Sequence, residues 1–265
     1  MNVAELTARI AKFAPWTLCK EWDNCGLLVG DYDAEVRKIG VCLDATYEAV
    51  VAAISMDCNV LVSHHPLIFK PIKSIIHEEG AGATIMEAIR HDINIIALHT
   101  NWDLAVDGVN DSLAKLLGLQ KICVLDEDTG FGSCGVLKAP MKLNDFLEHV
   151  KAAWNLSHID YYHYTTENEI SRVALCGGSG AKFWTYASEW GADIYLTADM
   201  KYHELIEAHD ELLAIGLVDH GEMERASLPA LAKKLSACKV ETVIVNDETA
   251  PLPFGIQALP SPLRM

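Results

Sequence analysis

Short apolar runs alternate with amphipathic stretches along most of the chain, and this alternation limits the fold more than any other feature. A strand followed by a helix and a further strand is the unit of a parallel sheet that helices cover on both faces. The predicted strands lie at 38–43, 59–63, 93–98, 172–176, 193–196, 212–218 and 239–245. The pattern therefore predicts an α/β protein with mostly parallel central sheets flanked by helices.

The order of the predicted elements repeats, which indicates two similar α/β halves. We expect the first half at 1–125, the second at 171–265, and a connecting strand–helix–strand segment at 126–170. No Pro/Ser-rich linker separates these parts, so we expect interlinked halves that do not move freely.

Composition narrows the classes of partner. The 265 residues carry a formal net charge of −16, and an acidic surface repels nucleic acid and anionic lipid. No apolar segment has the length of a membrane span and the N-terminal segment lacks a signal peptide's apolar core. The eight cysteines contain no CxxC pair, which favours reduced thiols over a disulfide scaffold. We predict a cytoplasmic protein that contacts neither nucleic acid nor membrane.

A pair of adjacent histidines, His64-His65, follows the second predicted strand. Neighbouring side chains on a strand face opposite ways, but this constraint relaxes where the strand ends, and Pro66 favours an extended exit. Both rings could then reach one pocket as metal ligands. Two unrelated surface histidines would explain the dipeptide equally well.

Two further strand ends carry a histidine and a carboxylate four residues apart. His99 and Asp103 follow the third strand, while His220 and Glu224 follow the strand at 212–218. On a helical turn each pair would share a face. An N-capping Asp beside a buried His, or acidic residues favoured by a helix dipole, are the ordinary explanations.

Taken together, the three strand ends predict a metal site, because ligands of open α/β sheets gather outside the carboxyl ends of strands. Up to four histidines and two carboxylates can converge there. That is more than one tetrahedral ion needs, so we expect two divalent ions, which could be zinc, iron or manganese.

A set of motifs spread over essentially the whole chain resembles the Nif-three-like family, whose members are often labelled GTP cyclohydrolase I type 2 homologues. These motifs are EWDN at 21–24, GLLVG at 26–30, SHHPLIFKPIKSI at 63–75, HTNWD at 99–103, GVND at 108–111, CGGSG at 176–180, TADMKYHE at 197–204 and HGEME at 220–224.

The resemblance implies a toroidal homohexamer whose subunits each hold a dinuclear metal site. The ligands it implies are His64, His65, Asp103, His220 and Glu224. His99 would lie close to the metals without being an assigned ligand. The chain departs from the family pattern at Ala198, Asp219, Gly221 and Met223, which weakens inferences about the substrate.

Two functions remain open from the sequence. The first is a metal-dependent hydrolase in which His99 serves as a catalytic proton carrier. Two divalent ions would leave the site positive despite the two carboxylates, and Lys70, Lys73 and Lys201 could add to this, so a small anionic or nucleotide-like substrate is expected. The second is a non-catalytic metal-binding regulator or metal chaperone.

The CGGSG run at 176–180 also has two explanations. It follows a strand and precedes a helix, which suits phosphate binding at a helix N-terminus. A plain tight turn is the alternative, and we favour it.

Overall fold

The structure is a computed structural model that describes residues 1–77, 80–163 and 169–245. Its strands form two mixed sheets, each flanked by helices. This confirms the predicted α/β class.

The first sheet contains five strands in the order β1-β4-β3-β2-β11. β1 pairs antiparallel with β4, and the other three pairings are parallel. The strands are β1 (Gly26–Val29), β2 (Lys38–Asp44), β3 (Val60–His65), β4 (Asn94–Ala97) and β11 (Glu241–Ile244).

The second sheet contains six strands in the order β5-β6-β8-β9-β10-β7. The β8–β9 and β9–β10 pairings are parallel and the other three are antiparallel, so this sheet is less parallel than the sequence predicted. The strands are β5 (Gln120–Val124), β6 (Ser133–Lys142), β7 (Ile159–Tyr162), β8 (Glu169–Leu175), β9 (Ile194–Thr197) and β10 (Ala214–Val218).

Ten α-helices lie within the described ranges. They are α1 (Val3–Ile10), α2 (Tyr47–Ser55), α3 (Gly80–Arg90), α4 (Thr100–Asp103), α5 (Val109–Leu116), α6 (Leu143–Trp154), α7 (Trp184–Trp190), α8 (Tyr202–Asp210), α9 (His220–Arg225) and α10 (Leu228–Ser236). Polar side chains fix the starts of three of them: Asn2, Thr46 and Asp219 accept a hydrogen bond from a backbone N–H in the first turn, as N-caps do.

The central strands are buried on both faces. Four or more consecutive residues are buried in β2, β3, β4 and β9, which is typical of parallel strands that helices cover on both sides. The carboxyl ends of these strands therefore have fixed positions, and so do the first residues of the loops that follow them.

The strand pairing differs from the predicted segments in three places. β5 falls within the predicted first half but joins the second sheet, and β11 falls within the predicted second half but joins the first. The predicted connecting segment, 126–170, supplies β6 and β7 to the second sheet. An alternation of strands and helices gives the order of elements, but it does not tell which sheet a strand joins.

Two local features also differ. The pattern of residues 222–235 predicts one continuous helix, but the chain forms two helices, α9 and α10, divided around Ser227, because Pro229 fits the first turn of a helix and not its interior. Cys123 and Cys134 lie opposite each other on β5 and β6 and form a disulfide, whereas the sequence favoured reduced thiols. Among the described residues, no helix is long and apolar enough to cross a membrane.

Candidate metal centre

The predicted ligands meet where the two sheets face each other. His64 and His65 end β3 of the first sheet, and Asp103 ends α4, which follows β4. His220 and Glu224 lie on α9, which follows β10 of the second sheet. Loops after parallel strands of both sheets thus build one site.

The two adjacent histidines converge although both belong to the strand. β3 runs through His65, two residues beyond its predicted end. The ring centroids of His64 and His65 nevertheless lie 5.0 Å apart. His64 is buried, whereas His65 is partly exposed. The ring centroid of His65 lies 5.4 Å from that of His220.

Among the described residues, four groups of side chains have the spacing that a metal ion needs, with ligand atoms within 4.8 Å of one another. Two of them are His64, Asp103 and Glu224, and His65, His220 and Glu224. The other two are His64, His65 and His99, and Cys19, Asp23 and Cys25. Glu224 is the residue that the first two groups share. Its Oε1 lies 3.6 Å from His64 Nε2, and its Oε2 lies 2.9 Å from His65 Nε2 and 3.2 Å from His220 Nε2.

The Nδ1 atom of each of these three imidazoles lies within hydrogen-bond distance of an oxygen atom. His65 Nδ1 lies 2.7 Å from Asp44 Oδ1, and His220 Nδ1 lies 2.7 Å from Asp199 Oδ2. His64 Nδ1 lies 2.9 Å from the carbonyl oxygen of Leu98. Each oxygen fixes the proton on Nδ1 and leaves the lone pair of Nε2 directed at the centre, as in histidines that bind metals.

Acceptors therefore face acceptors at the centre. Within the described residues, His64 Nε2, Asp103 Oδ1 and Glu224 Oε2 are buried without a hydrogen-bond partner. Lone pairs of imidazole nitrogen and carboxylate oxygen repel at these separations unless a cation or a proton lies between them. The donor set of imidazoles and carboxylates fits a divalent metal.

The titration of the same groups shows how strongly the centre attracts positive charge. Burial opposes protonation of His65 and His220, yet the neighbouring carboxylates would accept hydrogen bonds from the protonated rings and attract their charge, which raises the pKa values of the two histidines to about 10 and about 9. Burial likewise works against ionised Glu224, but the three imidazoles, His64 first among them, hold its pKa well below the usual value. These pKa shifts indicate that the centre favours a bound positive charge, which a proton or a metal ion can supply.

His99 has the same arrangement as the other three histidines. Its Nδ1 lies 2.8 Å from Oδ1 of Asp23, whose side chain is fully buried. Thr100 donates to the other oxygen of Asp23 from its backbone nitrogen at 3.1 Å and from its hydroxyl at 2.6 Å. These donors, opposing the effect of burial, lower the pKa of Asp23. The ring of His99 is thereby fixed 5.2 Å from that of His64.

The glycine run after β8 forms a tight turn against the centre. The carbonyl oxygen of Gly178 accepts hydrogen bonds from the backbone nitrogens of Gly180 and Ala198 at 2.8 Å and 3.1 Å. Gly178 has a φ of +66°, and a Cβ there would collide with Glu224 Oε1 and lie 3.0 Å from His220 Nε2. The favoured explanation, a turn, is what the structure shows, and its glycine leaves room for the ligands.

A cavity of about 440 Å³ opens onto the centre and is lined by His65, His99, Asp103, His220 and Glu224 among others. The sequence proposed Lys70, Lys73 and Lys201 as sources of positive charge, but all three are exposed and none lines this cavity. Lys182 does line it, and sequence reasoning missed it.

Sequence reasoning also missed the carboxylates that hold the histidines. Asp44 and Asp199 are 21 residues from the histidines that they orient. Asp44 ends a predicted strand and Asp199 follows another, and Asp199 also lies in the TADMKYHE motif, but neither signal indicates which histidine the aspartate orients.

Comparisons with known proteins show which family the chain belongs to. The family model described as Duf34/NIF3 (NGG1p interacting factor 3) matches residues 1–251. A Lactococcus lactis protein named "GTP cyclohydrolase 1 type 2 homolog" is 34% identical over 260 residues, which are 96% of this chain and 99% of that protein. A Clostridium acetobutylicum protein of the same name is 31% identical over 241 residues, or 89% and 90% of the two chains.

A crystal structure described as a Bacillus cereus protein related to NIF3 superposes with a TM-score of 0.88 at 26% identity, covering 96% of this chain and 98% of that one. The chain belongs to the Duf34/NIF3 family, which confirms the predicted resemblance. The assignment of individual ligands remains a prediction.

We predict that Gly178→Ala impairs metal binding, because the added methyl group displaces Glu224 and His220. Metal content after dialysis, measured by atomic emission, should fall at least about tenfold. Gly118→Ala is the matched control, since Gly118 has a φ of +71° and a Cβ there meets nothing within 4 Å. Equal metal content in both variants would contradict the prediction.

A second prediction concerns Asp44 and Asp199. Asp44→Asn and Asp199→Asn should each weaken metal affinity by about 10- to 100-fold, because the amide holds the Nδ1 proton less strongly. Calorimetric titration with zinc measures the change. Asp160→Asn is the control, since Asp160 forms a similar 2.7 Å pair with the exposed His158. Unchanged affinity in the first two variants would refute the orienting role.

Proposed function

We propose that this protein is a metal-dependent hydrolase that holds two divalent ions and acts on a small anionic or nucleotide-like substrate. The observation that carries the proposal is the cluster of buried acceptors that face one another at the centre. The relatives named "GTP cyclohydrolase 1 type 2 homolog" support a hydrolytic reaction, although the name is theirs.

In this proposal His64 and Asp103 hold one ion, His65 and His220 hold the other, and Glu224 offers one oxygen to each group. A pair of divalent ions supplies Lewis acidity that stabilises attacking and leaving oxygens. The ions could be zinc, iron or manganese, because imidazole and carboxylate accept all three.

His99 is the proposed proton carrier. Its Nδ1 is held by the buried carboxylate of Asp23, and its ring lines the cavity beside the ligands. Asp23 fixes the tautomer and the ring orientation, so Nε2 is the atom that can accept a proton from water or return it to a leaving group. The hydrogen bonds from Thr100 to Asp23 keep that pair rigid.

The test combines metal counting with a screen for turnover. Protein loaded with manganese, iron or zinc is assayed with phosphoesters and nucleotides, and we expect Asp103→Ala to lose metal and His99→Gln to keep metal but lose about 100-fold or more in rate. Anomalous scattering should show two peaks about 3.5–4 Å apart. Asp160→Asn serves as the distal control.

Two outcomes would contradict the proposal. A single ion would refute the dinuclear centre. Stoichiometric metal binding without turnover for any metal would instead favour the metal-binding regulator or metal chaperone.

We also propose that the chain assembles as a toroidal homohexamer, as its family resemblance implies. Light scattering coupled to size-exclusion chromatography should give six times the mass of the chain. A monomer or dimer at micromolar concentration would refute this assembly.

A further inference from the structure

The mouth of the cavity is built from aromatic side chains, which the proposed hydrolytic chemistry does not need. Trp22 and Phe69 pack edge to face with ring centroids 6.2 Å apart, and Phe131 and Phe183 stack at 5.6 Å with an interplanar angle of 28°. All four line the same cavity as the proposed ligands.

Trp22 and Phe69 are exposed to solvent, and packing in the hydrophobic core does not account for their positions. Trp22 is 62% exposed and Phe69 is 46% exposed, and neither belongs to one of the core clusters. Aromatic groups gain little stability when they remain in water. Large exposed aromatic residues at the rim of a pocket instead mark a binding surface.

The aromatic rings are anchored to the chemical centre. Phe69 packs edge to face on His99 at 6.1 Å, and Trp22 packs on the same ring at 6.5 Å. A flat group held by Trp22 or Phe69 would therefore sit next to the proposed proton carrier.

Positive charge accompanies the second aromatic pair. Lys182 Nζ lies 4.8 Å from the centroid of Phe183 and lines the cavity, and in the described part of the chain it forms no salt bridge. Lys20 Nζ lies 5.3 Å from the centroid of Phe131, but it already donates to the carbonyl oxygen of Thr129 at 2.8 Å. Lys182 is thus the cation available to an incoming anion.

We propose that Trp22, Phe69 and Lys182 determine specificity, and that they select a substrate with a planar aromatic or heteroaromatic ring joined to an anionic group. This inference rests on the proposed function only for the position of the reacting bond. Flat rings stack on aromatic side chains whatever their ring substituents, and the ammonium group of Lys182 binds the anion. A cavity of about 440 Å³ has the size of a small-ligand pocket.

The experiment compares two probes that share a sugar phosphate and differ only in the ring. Adenosine 5′-monophosphate and ribose 5-phosphate are titrated calorimetrically into the manganese-loaded protein. We expect adenosine 5′-monophosphate to bind about tenfold or more tightly, in line with base stacking on aromatic side chains. Equal affinities for the two probes would overturn the inference.

Substitutions test which residues produce the preference for the ring. Phe69→Leu and Trp22→Leu change exposed side chains and keep an apolar side chain, so both variants should fold. Each should reduce the preference for the ring several-fold without changing the affinity for ribose 5-phosphate. Lys182→Met should weaken both probes by the same factor. Tyr32→Leu is the control, because Tyr32 is 55% exposed and does not line the cavity.

The readouts separate this inference from the proposed function. If the preference for the ring persists in both Phe69→Leu and Trp22→Leu, the assignment is overturned. If these variants also change the native mass of the protein, the aromatic residues instead form a contact between copies of the chain. If the unsubstituted protein shows no turnover or binds no metal but still prefers the probe with the ring, the proposed hydrolase function is refuted. The assignment of the specificity residues is then unaffected.

Discussion

Imidazole lone pairs facing carboxylate oxygens form the interaction on which the rest of the site depends. His65 and His220 are each held through Nδ1 by an aspartate, so that Nε2 is directed at Glu224. Taking such groups out of water costs several kcal/mol for each ion. Metal ions or protons must supply the attraction that offsets this cost, and the neighbouring carboxylates that raise the pKa values of His65 and His220 show that the centre favours positive charge.

This constraint explains why the fold divides the site between its two sheets. The first sheet provides His64 and His65, while Glu224 follows the last parallel strand of the second. Neither sheet alone assembles a complete group of ligands around Glu224. The chain ties the sheets together by returning β11 to the first sheet after α10, where β11 pairs in parallel with β2. This link connects the two sheets that supply the proposed ligands.

Much of the architecture was predictable because the signals are local. Buried parallel strands read as apolar runs, and polar residues just after them mark the edge where ligands gather. The strand ends gave six candidate residues, the family resemblance implied all of them except His99 as ligands, and the structure brings those five together. Sheet membership was not predictable, since β5 and β11 have ordinary strand patterns and only their pairing partners place them.

The supporting residues escaped prediction for a different reason. Asp44 and Asp199 look, in the sequence, like any other aspartate near the end of a strand. Asp23 lies in the EWDN motif, but its partner His99 is 76 residues away, so the motif does not indicate the pairing. Lys182 has no motif at all, whereas Lys70, Lys73 and Lys201 lie in motifs yet do not line the cavity. Contacts across the space between two sheets depend on the folded geometry, which local pattern does not encode.

The same geometry connects the metal centre to the aromatic mouth. His99 is held from one side by Asp23 and contacted from the other by Phe69 and Trp22. A ring bound at Phe69 would exclude water from the face of His99, and lower local polarity strengthens every charge interaction at the centre. Substrate selection and proton transfer would then depend on one imidazole, whose orientation is set by a carboxylate that never meets solvent.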